Sequence, residues 1–214
     1  MGTILASAIK TKILANLPDG MQGKFIDADF LSWINEGQKQ IVIAKHDANH
    51  VKSAVQLIAG TAQALATDEI ALYRLTRNMG TDGATPGNHI FMVNFDEFGK
   101  RNPSWHTDTE SATVQVAMYD PEDPLRFWVY PKQPSASMGY VEKIVSKIPT
   151  AVSAIGNAIS LNDEYEAPLY RYGLYMATIE DRPELSEVHL KHFYELLGRH
   201  DMSEKVAFKK IKEA

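Results

Sequence analysis

Hydrophobic spacing changes period twice along this chain, and that alternation restricts the fold more than any other feature. Near the start, Ile4, Leu5, Ala8, Ile9 and Ile13 recur every three or four residues, the spacing that lines one face of a helix. Pro18-Asp19-Gly20 interrupts the run, since both ring and glycine punctuate regular structure. A second helix is expected from Asp27, whose carboxylate can cap free amides while Asp29 adds favourable charge to the first turn. Phe30, Ile34 and Ile41 then share a face flanked by Leu31 and Trp33, and the helix should end near His46-Asp47-Ala48-Asn49.

From Val51 the period falls to two. Val51, Ser53, Val55 and Leu57 alternate with Lys52, Ala54 and Gln56, as a strand requires. Gly60-Thr61 predicts a turn, with the chain returning through Gln63 to Leu65 as a hairpin. Ile70 to Leu75 is another strand-length run, and the polar, glycine-rich stretch from Asn78 to Gly87 must be a surface loop. Thr113 to Tyr119 and Phe127 to Tyr130 read as strands around Asp120-Pro-Glu-Asp-Pro124, a connection no strand could cross. Tyr140 to Ile148 alternates again, Val141, Lys143, Val145 and Lys147 against Tyr140, Glu142, Ile144 and Ser146, and an antiparallel meander is the simplest arrangement.

The helical period then returns in Tyr165, Leu169, Tyr172, Met176 and Ile179, with Pro168 tolerable in a first turn. After Pro183 a last helix is expected, with Leu185, Val188, His192 and Leu196 lining one face and Phe193 and Leu197 beside them. The fold class is therefore α+β. N- and C-terminal helices, residues 1–48 and 160–206, pack as a bundle, and residues 50–150 form an inserted antiparallel β-rich segment. A basic, weakly amphipathic tail occupies 203–214; alone it is too short for a stable helix and is expected to order on docking.

Charge and composition exclude several classes. The 214 residues carry a formal charge of -5, so the chain as a whole is not built to coat nucleic acid. There is no cysteine, which removes disulfides and thiolate metal sites and suits a reducing cytoplasm. The start lacks the basic flank and apolar run of a signal peptide. No stretch approaches the roughly 18 apolar residues of a membrane span, so no membrane partner is expected.

Catalytic chemistry finds little support. Gly80, Gly83 and Gly87 lack the following lysine and hydroxyl residue of a phosphate loop. His189 and His192 lie one turn apart, with His200 further on, but no glutamate motif joins them, so no metal is expected. His46 and His50 read as loop histidines. The acid pairs Asp96/Glu97, Glu122/Asp123 and Asp163/Glu164 leave a glycosidase as an alternative, although Asp163/Glu164 is better explained as helix-start charge. Trp105, Trp128 and Tyr130 suit packing or subunit contact and, as a further alternative, stacking on a sugar or a base. No catalytic residue and no cofactor is assigned.

A series of motifs in fixed order carries more information. Asp27-Ala-Asp-Phe-Leu-Ser-Trp33-Ile-Asn35-Glu-Gly-Gln38-Lys-Gln-Ile41 comes first, and Asp47-Ala-Asn49 opens the first strand. Leu57-Ile-Ala-Gly-Thr-Ala-Gln63, Arg77-Asn78-Met-Gly-Thr-Asp82-Gly-Ala-Thr-Pro-Gly87 and Asn102-Pro-Ser-Trp105-His106 follow. Tyr119-Asp-Pro-Glu-Asp-Pro-Leu-Arg-Phe-Trp128-Val-Tyr130-Pro131 and Leu161-Asn-Asp-Glu-Tyr165 complete the series. From about residue 20 to 200 this resembles the head-to-tail adaptor (connector or neck) family of tailed, short-tailed bacteriophages. One departure is Leu65-Ala66, where the family pattern has Leu-Pro.

The resemblance implies a structural virion protein of the phage neck, not an enzyme. Such adaptors form a ring homo-oligomer, usually a dodecamer, below the portal protein. They extend the channel through which genomic DNA passes and dock the tail nozzle or tail tube. A net negative protomer suits a wall along which DNA slides without sticking. Interface candidates are Trp33, Asn35 and Gln38 in the first motif, Asn78 and Asp82 in the loop, and the aromatics Trp105, Trp128 and Tyr130. Phe208, Lys209, Lys210 and Ile211 in the tail are candidates for the portal contact. The alternative in the same setting is another neck or tail component, such as a completion, stopper or nozzle-proximal protein.

Overall fold

The structure, a computed structural model, describes the backbone of residues 2–212 and the side chains of residues 2–198. The chain divides into two compact units, one of residues 1–48 with 149–214 and one of residues 49–148. Helices dominate the first unit and strands the second, as the change of period requires.

The helical unit contains α1 (Ala6–Asn16), α2 (Asp27–Ala44), α4 (Glu166–Thr178) and α5 (Pro183–Lys212). Ile9 and Ile13 of α1 and Phe30, Ile34 and Ile41 of α2 are fully buried, together with Leu169 and Leu174 of α4. The first amides of α1 have no partner within their own helix; Ala6 and Ser7 N–H instead donate to the carbonyls of Asn157 and Ile155. Helices α1 and α4 approach closely because position 173 is glycine: a Cβ there would lie 2.3 Å from Ile13 Cδ1.

Two details of this unit depart from expectation. Asp27 does not cap α2 but binds Lys10 at 2.5 Å, and Asp29 Oδ2 accepts from Ile26 N–H at 2.9 Å. The buried face of α5 is Ser186, His189, Phe193 and Leu197 rather than Leu185, Val188, His192 and Leu196; Phe193 is 0% exposed and Val188 45%. Both stripes have helical spacing, and packing against α4 selects the one that carries the aromatic ring, with Phe193 5.3 Å from Tyr172. The α5 backbone runs on through Lys212, but Phe208, Lys209, Lys210 and Ile211 lie outside the described side chains.

The β unit holds seven strands in two sheets. In the first, β1 (His50–Gln56), β7 (Tyr140–Lys147) and β3 (Glu69–Asn78) lie in the order β1-β7-β3, antiparallel throughout. In the second, β2 (Gly60–Ala64), β6 (Arg126–Gln133), β5 (Val116–Tyr119) and β4 (Phe91–Asn94) lie in the order β2-β6-β5-β4. The β4–β5 pair is parallel, and the short helix α3 (Phe95–Arg101) follows β4. Leu57, Leu75, Ile90, Val114, Phe127, Val129 and Val141 form the buried cluster of this unit.

This topology corrects the expected meander and the expected hairpin. β1 and β2 are consecutive yet belong to different sheets, and β7 passes between β1 and β3 instead of pairing with β6. The reason lies in Gln63, which is 4% exposed. Its Oε1 accepts from Ile58 N–H and its Nε2 donates to Ile58 C=O, both at 2.8 Å, so the amide turns the chain out of β1. Strand β7 is central, and its Lys143 is buried against Glu69 at 2.6 Å.

Candidate functional site

Four local arrangements hold the residues singled out above. The first lies in the helical unit, where Gln38 is 1% exposed. Its Oε1 accepts from Ser160 N–H at 2.8 Å and Leu161 N–H at 3.2 Å. Asn35 accepts from Val152 N–H at 2.7 Å and donates to Val152 C=O at 3.1 Å. Two α2 amides thus pin the returning segment that reaches α4. Trp33, one turn earlier and half-buried, packs edge-on to Phe25 at 4.9 Å and Phe30 at 5.2 Å. With Phe25, Met176 and Ile179 it lines an open groove rimmed by Lys24, Asp29 and Glu180.

The second arrangement is the loop after β3. Asn78 is buried, donating to Asn88 C=O at 3.1 Å and Val114 C=O at 2.8 Å and accepting from Val114 N–H at 2.8 Å. It closes the base of the loop. Further out, Asp82 accepts from the N–H groups of Ala84 at 2.9 Å and Thr85 at 3.1 Å and from the Thr85 hydroxyl at 3.0 Å. Bonds from these amides, Ala84 first, hold its carboxyl below the usual carboxylate range. Gly83 adopts φ 74°, and a Cβ there would sit 2.8 Å from the Tyr140 ring. The loop is a braced projection whose middle is exposed.

The third is aromatic. Trp105 is 2% exposed, edge-on to Phe95 and Phe98 at 6.1 and 6.0 Å. A buried ring has no face to offer a sugar or base. Trp128 and Tyr130 are half-buried, 4.4 Å from Phe95 and 5.3 Å from Phe98. The Tyr130 hydroxyl donates to Asp108 at 2.9 Å, and that bond raises its pKa.

The fourth was not legible beforehand. On one face of the β1-β7-β3 sheet, Glu142 accepts hydrogen bonds from the Thr76 hydroxyl, from Arg77 Nε at 3.0 Å and from Lys52 Nζ at 3.1 Å. These partners, Thr76 first, hold its pKa down to about 2. Arg74, Gly87 and His89 complete the lining of a surface cleft. The cations come from two strands far apart in sequence, so only strand register could have brought them together: Lys52 and Arg74 both face Ile144 across the sheet.

The weighed chemistry gains no support among the described residues. Asp163 accepts from Thr3 N–H and the Thr3 hydroxyl, each at 2.6 Å, and from Ile4 N–H at 3.1 Å. It anchors the start of the chain, with its carboxyl held low first by the Thr3 hydroxyl. No group of three or more His, Asp or Glu able to hold a metal occurs among the described residues. Burial is the largest of the causes that push the His189 imidazole pKa down. Among the described residues, no helix is long and apolar enough to cross a membrane.

An α+β chain with braced loops and a charged sheet face is a protein of exposed surfaces, and comparison places it in a class. A family model described as SU10 adaptor protein matches residues 4–207, and the chain belongs to that family of phage head-to-tail adaptors. No curated protein matches the sequence.

Proposed function

We propose that this adaptor assembles as a ring, a dodecamer, between the portal protein and the tail of a short-tailed phage. In that position it extends the DNA channel, docks the tail nozzle or tube, and makes or breaks no covalent bond. The protein is synthesised in the host bacterial cytoplasm and resides in the virion neck. The observation that carries this reading is the family match, which spans both units. The braced 79–87 loop supports it, because a rigid projection loses little freedom on docking. Asp82, Trp33, Trp128 and Tyr130 are the proposed contact residues, while Asn35, Gln38, Asn78 and Trp105 act from behind by fixing the surfaces that present them. The tail with Phe208, Lys209, Lys210 and Ile211 is proposed to meet the portal.

Mixing the purified chain with the portal of its own phage tests this directly. Size-exclusion chromatography followed by electron microscopy should show a ring of this chain on the portal. A neck reconstruction lacking the chain, or placing it at the distal tail, overturns the reading and favours another tail component. Deleting residues 203–214 should abolish portal binding with the fold intact.

A further inference from the structure

We propose that the cationic cleft on the β1-β7-β3 sheet receives the acidic β5–β6 loop, residues 120–124, of a second copy of this chain. The proposal rests on the ring reading and names the surfaces that join one subunit to the next.

The receiving face has uneven charge. Lys52, Arg74 and Arg77 surround the single carboxylate Glu142, with His89 at the rim, on a chain whose net charge is -5. Glu142 is already engaged by Thr76, Arg77 and Lys52. Arg74 is exposed, and among the described residues its guanidinium has no hydrogen-bond or ion-pair partner. A planar fork of donors at the lip of a cationic cleft suits a carboxylate. Beside it Tyr73 is 42% exposed, its ring 4.0 Å from His50, which gives the face an apolar shoulder.

The complementary feature occurs on the other sheet of the same chain. Asp120-Pro-Glu-Asp-Pro124 carries three carboxylates, and Asp120 accepts from Glu122 N–H at 2.9 Å, so the turn is braced from within. Pro121 and Pro124 restrict its backbone further. Among the described residues only Asp123 has a nearby cation, Arg126 at 3.6 Å, and the exposed Glu122 side chain has no partner. Flanking the acids, Tyr119 and Leu125 are 42% and 52% exposed. Each surface therefore combines charge with an apolar neighbour, opposite in sign and alike in layout, as interfaces with a desolvated anchor and a charged rim do. Two different complementary patches on one chain make a head-to-tail contact, the kind that gives a ring when the rotation from copy to copy closes and a filament when it does not.

Because the chain has no cysteine, any disulfide between two copies of it must use the introduced thiols. The variant R74C/E122C, assembled on the portal and oxidised, should give a ladder of disulfide-linked multimers, and either single variant should stop at the dimer or below. R74E and E122R should each weaken self-assembly about tenfold, while an equal mixture of the two restores it. Circular dichroism matching the parent shows that the variants fold. If the parent assembles and R74E and E122R assemble equally well, or the double-cysteine chain gives no ladder, the contact is wrong and the ring reading stands. If the parent forms no multimer with or without portal, both fall. Binding of R74E-sensitive DNA in place of a second copy, seen as retention of a labelled duplex, also overturns the proposal.

Discussion

At the residue scale, the motif side chains that stand out in the sequence are mostly internal clamps. Gln38, Gln63 and Asn78 each spend a buried amide on backbone groups that have no secondary-structure partner. Buried backbone polar groups must be paired, and an amide offers a donor and an acceptor together. Gln38→Ala should lower stability by about 1–3 kcal/mol in urea unfolding, because Ser160 and Leu161 N–H lose their acceptor. Ala66 shows the same logic in reverse. Where the family pattern has proline, its N–H donates to Glu69 at 2.8 Å, and Glu69 holds Lys143. Glu69→Ala leaves that buried ammonium alone, and a loss of about 3–5 kcal/mol is expected by the same measurement.

Glu142 adds a pH dependence at this scale. A carboxylate with a folded pKa of about 2, below its ordinary 4.5, contributes stability above pH 4.5 that is lost as pH falls toward 2. Denaturation of Glu142→Gln should therefore show a deficit at pH 7 that shrinks through this window. A constant deficit would mean that the carboxylate's charge contributes nothing.

At the scale of elements, α5 shows what spacing alone leaves open. Leu185, Val188, His192 and Leu196 satisfy helical periodicity as well as Ser186, His189, Phe193 and Leu197 do, and a serine and a histidine disguise the true inner face. Phe193→Ala should cost about 3–5 kcal/mol, whereas Val188→Ser should stay within about 0.5 kcal/mol in the isolated chain; thermal unfolding separates the two. Gly173→Ala drives a methyl group into Ile13, and a loss of about 1–3 kcal/mol is expected. Most strands were legible from alternation or a strand-length apolar run, but β4 and the short α3 after it were not, and strand pairing was not. Lys143 looks like a surface residue in sequence because its buried partner, Glu69, lies 74 positions away.

At the scale of the whole molecule, the α+β class was readable from the change of period, since each period buries a different kind of face. The family was legible because loops with special backbone needs leave fixed residue patterns, such as the Asn78–Gly87 run with its left-handed glycines. The cationic cleft was hidden for the opposite reason. Its members share no local pattern and meet only through the β1-β7-β3 register.

That register has one more consequence. The chain enters the β unit at Asn49 and leaves it near Lys147, and these ends are tied by the Asn49 side chain at 2.7 Å and by His50 facing Ser146. A segment whose two ends are fastened to each other is a cassette. Ends this close are the geometry that tolerates insertion of a segment into a host fold, and the interrupted helices have buried residues of their own; excising residues 50–147 is expected to leave a helical circular dichroism spectrum.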